Sequence, residues 1–333
     1  MLFLALLALA SSARAEDYSV DGPHKIDVLE DKWTDAARAA RLVPYKIYYP
    51  TDLTEPAPVV IVSHGLGGSR DGYAYIGRHL ASHGYIAVHV THDGSDTVSV
   101  RDAVAGDGKT IMEALKQMAS DPANIVNRPK DISFAVDQLI EMNKKDGPLK
   151  GRVDVQRIGV DGHSFGAYTA MAVAGQTFGK GVSFRDERIK AAVVMSPSAP
   201  RPNGAKQYES ITIPILLMTG TRDDSPIGTG GLAADRPRVF DLLTNCTRYL
   251  LVFDGGDHMV FSGRSAALEA GKIPGTGGDR TKDPQFHAFV KASTVAFFDA
   301  YLKGDDSANH WLSADDGGKA TLGSNGTWKH QGK

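Results

Sequence analysis

The stretch Arg157-Ile158-Gly159-Val160-Asp161-Gly162-His163-Ser164-Phe165-Gly166-Ala167 decides how this chain is read. Its first part, Arg157 to Asp161, is a short run of the kind that forms a strand covered on both faces. The small apolar residues from Ala167 to Ala174 read as a helix packed close under a sheet. Between the two lies Gly-x-Ser-x-Gly. That pattern alone arises easily by chance, but a strand before it and a helix after it make the setting of a nucleophile elbow. In such an elbow the serine sits in a sharp, strained turn and its hydroxyl stands clear of the sheet. Gly162 and Gly166 lack a Cβ and so let strand and helix approach. The helix N-terminus behind Ser164 favours developing negative charge.

Outward from the elbow the same alternation repeats. Val59 to Ser63, Ile86 to Val90, Ala191 to Met195, Ile213 to Met218 and Tyr249 to Phe253 are expected as buried strands, and Val43 to Tyr49 as a half-exposed one. Helices are expected from Asp71 to Ser82, from Pro129 to Asn143 with proline in the first turn, and from Phe286 to Leu302. Apolar strands alternating with helices imply an α/β architecture, a mostly parallel central sheet with helices on both faces. Two stretches break the rhythm, at about 93–128 and 262–283. Both follow strands, where ligand-facing loops sit in open α/β sheets, so both are expected at the rim or as a lid. Residues 304–333 are poor in apolar residues and rich in Gly and Asp, and a loosely ordered C-terminal tail is expected there.

A serine hydroxyl needs a base to take its proton, and the base needs an orienting carboxylate. After an elbow of this kind the chain order is Ser, then Asp or Glu, then His. His258 directly follows the last apolar strand; His287 lies in the closing helix, and His310 and His330 lie in the tail. Position therefore selects His258. The acid should follow the preceding strand, which runs into Thr219-Gly220-Thr221-Arg222-Asp223-Asp224. Two aspartates compete; the first turn beyond the sheet favours Asp223, with Asp224 left to cap a turn. An oxyanion needs preorganised N–H donors. The residue after the nucleophile, Phe165, is expected to supply one. Leu66, in the loop Ser63-His64-Gly65-Leu66-Gly67-Gly68-Ser69, is expected to supply the other. His64 is expected to brace that loop. His89 and His92 fall on opposite faces of a strand, which is poor for sharing a metal. No metal and no cofactor is expected.

Composition narrows the class. The chain has 333 residues, 42% hydrophobic and 23% charged, with a net charge of -2. There is no basic excess to displace counterions from nucleic acid, so nucleic acid is not expected as a partner. Cys246 is the lone cysteine, so no internal disulfide can form. Residues 1–15 join a short apolar run to Ala13-Arg14-Ala15, the pattern of a cleaved secretory signal. That run is too short to span a bilayer, which takes about 20 residues, so no stable membrane insertion is expected after cleavage. The organisation expected is a signal peptide at 1–15, one domain at 16–303 and the tail.

The run Val62-Ser63-His64-Gly65-Leu66-Gly67-Gly68-Ser69-Arg70, continuing through Leu80-Ala81-Ser82-His83-Gly84-Tyr85, resembles the platelet-activating factor acetylhydrolase and dienelactone hydrolase-like branch of the α/β-hydrolases, as does Gly162-His163-Ser164-Phe165-Gly166. The likeness extends in outline over residues 40–260. It implies the α/β-hydrolase fold and hydrolysis of carboxylic esters, often with short acyl groups and without a metal. Serine at 164 departs from true dienelactone hydrolases, which use cysteine. The layout is also similar to cutinase-like, polyester-cleaving esterases. A serine peptidase or amidase on this fold is the nearest rival, and a non-catalytic exported binding protein a distant one. The substrate expected is a small or polymeric ester; acyl length, alcohol and oligomeric state stay open.

Overall fold

The computed structural model describes residues 17–198, 204–263 and 280–333. The expected signal segment, 1–15, and most of the expected 262–283 insertion lie outside the described residues. Nine strands form the main sheet: β1 (Ile26–Asp35), β2 (Arg41–Pro50), β3 (Ala57–Ser63), β4 (Ile86–Val90), β5 (Val153–His163), β6 (Ile189–Met195), β7 (Ile215–Arg222), β8 (Arg248–Asp257) and β9 (Gly326–Gln331). Their order across the sheet is β1-β2-β4-β3-β5-β6-β7-β8-β9. From β4 to β8 every neighbour is parallel; β1, β2 and β9 are antiparallel additions at the two edges. With helices on both faces, this is the α/β-hydrolase fold.

Burial explains the continuous apolar strands. In β3, Val59 and Ile61 face one core while Val60 and Val62 face the other. On the first side pack α4 (Pro122–Lys144), through Ile132, Ala135 and Leu139, α5 (Phe165–Ala174), and α6 (Arg238–Leu242), through Val239 and Phe240. On the second pack α1 (Ala74–Ser82) and α7 (Asp283–Phe298), through Leu80, Val290 and Phe297. Among the described residues no helix is long and apolar enough to cross a membrane.

Two expectations need correcting. Helix α4 begins at Pro122, not Pro129, because Asp121 caps it by accepting from Ala123 N and Pro122 sits in the first turn; Pro129 is interior. Ahead of α4 the 93–128 stretch holds α2 (Thr97–Asp107) and α3 (Ile111–Ser120), the latter where the sequence from Lys109 to Ser120 reads as helix-like. The C-terminal segment is not loose. It forms α8 (Asp306–Ser313), α9 (Gly318–Leu322) and strand β9, which pairs with β8. Its apolar residues are few but well placed: Ala308, Leu312 and Leu322 join the second core, and the His330 ring stacks on Tyr249 at 4.6 Å.

Candidate active site

The turn between β5 and α5 holds Ser164 at φ 58° and ψ -114°, a conformation that costs energy for any residue with a side chain. Close packing on both sides enforces it. A Cβ on Gly162 would lie 2.1 Å from the Gly166 carbonyl oxygen, and one on Gly166 would lie 1.9 Å from that of Ser63. Neither position tolerates a side chain. Ser164 N donates to the Met195 carbonyl at 2.9 Å, tying the turn to the end of β6.

Above the sheet edge the structure brings Ser164, His258 and Asp223 together. Ser164 Oγ lies 2.8 Å from His258 Nε2, and His258 Nδ1 lies 2.6 Å from Asp223 Oδ1. The carboxylate accepts only, so Nδ1–H donates to it and Nε2 is left to accept the serine proton. Asp223 is fully buried just beyond β7. Its Oδ2 accepts from Thr219 Oγ1 at 2.7 Å, and Arg236 Nε stands 3.3 Å from Oδ1. Burial by itself raises the Asp223 carboxyl; the hydrogen bond from His258 and the charge of Arg236 outweigh it, and the net shift is downward. Asp224 turns elsewhere and accepts from Ala233 N at 2.8 Å.

The loop after β3 spends its N–H groups unevenly. Gly65 N donates to Tyr73 Oη at 3.2 Å, Gly67 N to Ser95 O at 2.9 Å and Gly68 N to Gly65 O at 3.0 Å. Among the described residues Leu66 N–H has no acceptor within the protein, and neither has Phe165 N–H, at the first position of α5. Both residues, with Ser164 and His258, line a cavity of about 1310 Å³. Its walls are largely apolar, with Val104 and Leu115 from α2 and α3, Tyr168 and Met171 from α5, and Ile227 beyond β7. The helical 93–128 stretch therefore does form part of the cavity rim.

His64 is buried and local: Nδ1 donates to Gly65 O at 2.6 Å, and Nε2 accepts from His92 N at 3.0 Å. His89 and His92 do not converge. His89 Nδ1 donates to Gly72 O at 3.0 Å, and the described residues hold no group of three or more side chains suited to a metal ion.

Sequence reasoning missed a second serine–histidine–aspartate chain. Ser63 Oγ lies 2.9 Å from His92 Nε2, and His92 Nδ1 lies 2.9 Å from Asp131 Oδ2. All three residues are fully buried, and none of them lines the cavity. Asp131 also accepts from Arg41 Nε at 2.8 Å and from Arg38 Nη1 at 2.7 Å. Burial alone would raise its carboxyl; the bonds from Arg41 and His92 reverse this and hold it well below the usual range. Burial, with the nearby Arg128 charge, pulls His92 down to about 4 and keeps it neutral. Also unforeseen is Asp161, in β5, buried with no partner for either carboxylate oxygen among the described residues; burial raises it to about 8.

The family described as platelet-activating factor acetylhydrolase, isoform II, matches residues 39–223, from the loop before β2 through Asp223. A platelet-activating factor acetylhydrolase of Cavia porcellus is 26% identical over 196 residues, covering 53% of this chain and 43% of that protein. The Bos taurus protein of the same name is 29% identical over 195 residues, covering 52% of this chain and 42% of its own length. Cutinase 1 of Thermobifida cellulosilytica is 23% identical over 213 residues, 64% of each chain. The chain thus spans less than half the length of the two acetylhydrolases and under two thirds of the cutinase.

Proposed function

The chain belongs to the platelet-activating factor acetylhydrolase, isoform II, family, and from that premise we propose that it is a serine carboxylic ester hydrolase working through an acyl-enzyme. Ser164 is the nucleophile, His258 the base, Asp223 the orienting acid, and the Leu66 and Phe165 N–H groups the oxyanion donors. One observation carries this reading: the Ser164–His258–Asp223 chain opens onto a cavity also lined by Leu66 and Phe165, whose N–H groups have no acceptor among the described residues.

The chemistry follows from the geometry. His258 Nε2 takes the Ser164 proton as Oγ attacks the ester carbonyl, and Asp223 stabilises the imidazolium that forms. The two N–H groups hold the oxyanion, each worth about 3 kcal/mol in such sites. His258 then protonates the departing alcohol, and afterwards activates the water that releases the acid.

The finer reading is a secreted enzyme for short-acyl esters. Export rests on the signal pattern at 1–15, and the short acyl on the likeness to acetylhydrolases. A cavity of about 1310 Å³ exceeds the roughly 300–1,000 Å³ of ordinary small-ligand sites, which leaves room for a large alcohol. A polyester substrate is the second reading, favoured by the apolar cavity walls and the cutinase match. A series of p-nitrophenyl esters from acetate to palmitate, with a matched anilide, tests these choices. The expected optimum is at the shortest acyl groups, with the anilide turned over far more slowly. An optimum at palmitate would overturn the short-acyl reading, and comparable anilide turnover would point to an amidase.

A further inference from the structure

Arg128, in α4, is among the largest fully buried side chains of the molecule. No carboxylate pairs with it directly among the described residues; Asp131, one turn further along α4, is occupied by Arg38, Arg41 and His92. A buried cation is costly, and apolar residues would fill such a volume with less penalty. The donors of this guanidinium go to a particular set of acceptors. Nη2 donates to the His64 carbonyl and, at 3.3 Å, to Ser63 Oγ. Nη1 donates to Ser95 Oγ at 2.9 Å, and Nε to Thr169 Oγ1 at 3.0 Å. The guanidinium carbon lies 4.4 Å from the centre of the Phe165 ring.

These contacts converge on the two proposed oxyanion donors. Leu66 is held from both sides: His64 O before it is bonded to Arg128, and Gly67 N after it donates to the carbonyl of Ser95, whose hydroxyl Arg128 also holds. Phe165 is held through its ring and through its carbonyl, which accepts from Thr169 Oγ1 at 3.0 Å. The buried serine chain fixes the polarity of this arrangement. His92 donates from Nδ1 to Asp131, so Nε2 accepts the Ser63 proton and leaves the Ser63 oxygen free to accept from Arg128.

We infer that Arg128 is a positioning residue that sets the oxyanion hole, joining the Leu66 and Phe165 backbones through one planar cation. The inference rests on the proposed roles of Ser164, Leu66 and Phe165. Arg128 does not line the cavity, so it acts through the groups it holds. Preorganised donors matter most in the transition state, so its loss falls on kcat rather than on substrate binding.

The test compares wild type, Arg128→Lys and Ser164→Ala on p-nitrophenyl acetate and against a trifluoromethyl ketone, which forms a tetrahedral adduct. Lysine keeps the charge but not the planar fork. The expected result for folded Arg128→Lys is a kcat lowered about tenfold or more, with KM within about twofold. The ketone should weaken by the same factor as kcat/KM. A folded variant with wild-type kcat and ketone affinity, or a loss carried by KM alone, overturns the inference. If Arg128→Lys does not fold, Thr169→Val, which removes the link between Nε and the Phe165 carbonyl, takes its place. There a few-fold parallel loss in kcat and ketone affinity supports the inference, and no change overturns it. Ser164→Ala separates the two levels. Full turnover by that variant sinks the nucleophile assignment itself; an inert Ser164→Ala beside an unimpaired Arg128→Lys sinks only the role of Arg128.

Discussion

The chain through Ser164 and the chain through Ser63 are built alike. Serine-to-histidine distances are 2.8 and 2.9 Å, and histidine-to-aspartate distances are 2.6 and 2.9 Å. Their surroundings differ. Ser164 stands in a strained turn at a cavity wall, whereas Ser63 ends a regular strand and is sealed from solvent. His92 is fully buried and lies in the field of Arg128 and Arg41, which opposes the imidazolium. Triad distances alone therefore do not identify a catalytic serine. Access for a substrate and N–H donors left unspent beside the serine distinguish one chain from the other.

Exchanging the serines is the strongest way to break this comparison. Ser164→Ala should lower ester turnover by about 10⁴-fold or more, while Ser63→Ala should stay within about tenfold of wild type. Steady-state rates on p-nitrophenyl acetate, with thermal unfolding as the control for folding, check both. The acids should divide the other way between activity and stability. Asp223→Asn is expected to cost about 10⁴ in kcat by spoiling the histidine tautomer, with a smaller loss of Tm than at Asp131, since Arg236 beside it keeps its bonds to the Ser196 and Pro197 carbonyls. Asp131→Asn should instead leave Arg38 and Arg41 only their outer partners, Asp35 and Asp93, and destabilise the fold by about 3–5 kcal/mol, measured by denaturant unfolding. Equal effects of the two substitutions on Tm would erase the distinction drawn here.

A third buried acid sharpens the contrast with the smallest effect. Asp131 is ringed by cations, whereas Asp161 has no partner among the described residues and is raised to about 8. Between its ordinary value of 3.8 and about 8 the folded chain holds a proton that the unfolded chain has released. Stability from this group is therefore full below the lower value and declines as pH rises through the window. Asp161→Asn removes the titration. Its Tm should match wild type near pH 4 and exceed it increasingly toward pH 8. A pH-independent difference would contradict the assignment.

The features legible in sequence were those that repeat or that stand in chain order. Strands covered on both faces read as unbroken apolar runs, and Ser164, Asp223 and His258 follow strands in the sequence their positions require. Strand β1 escaped notice because it is an edge strand with mostly exposed residues and carries no clean apolar alternation. The tail reads as loosely ordered because composition averages away a few well-placed residues such as Leu312 and Leu322. Arg128 and Asp131 were hidden by their type, since charged residues in a helix read as solvent-facing. One signal was present: both lie on the stripe of α4 that continues through Ile132, Ala135 and Leu139 into the core.

The most direct test of the central claim is peptide mapping after reaction of the folded protein with a fluorophosphonate. The account predicts a single adduct on the peptide containing Ser164, retained in Ser63→Ala and lost in Ser164→Ala. An adduct on Ser63, or folded protein that takes up no label at all, would contradict it.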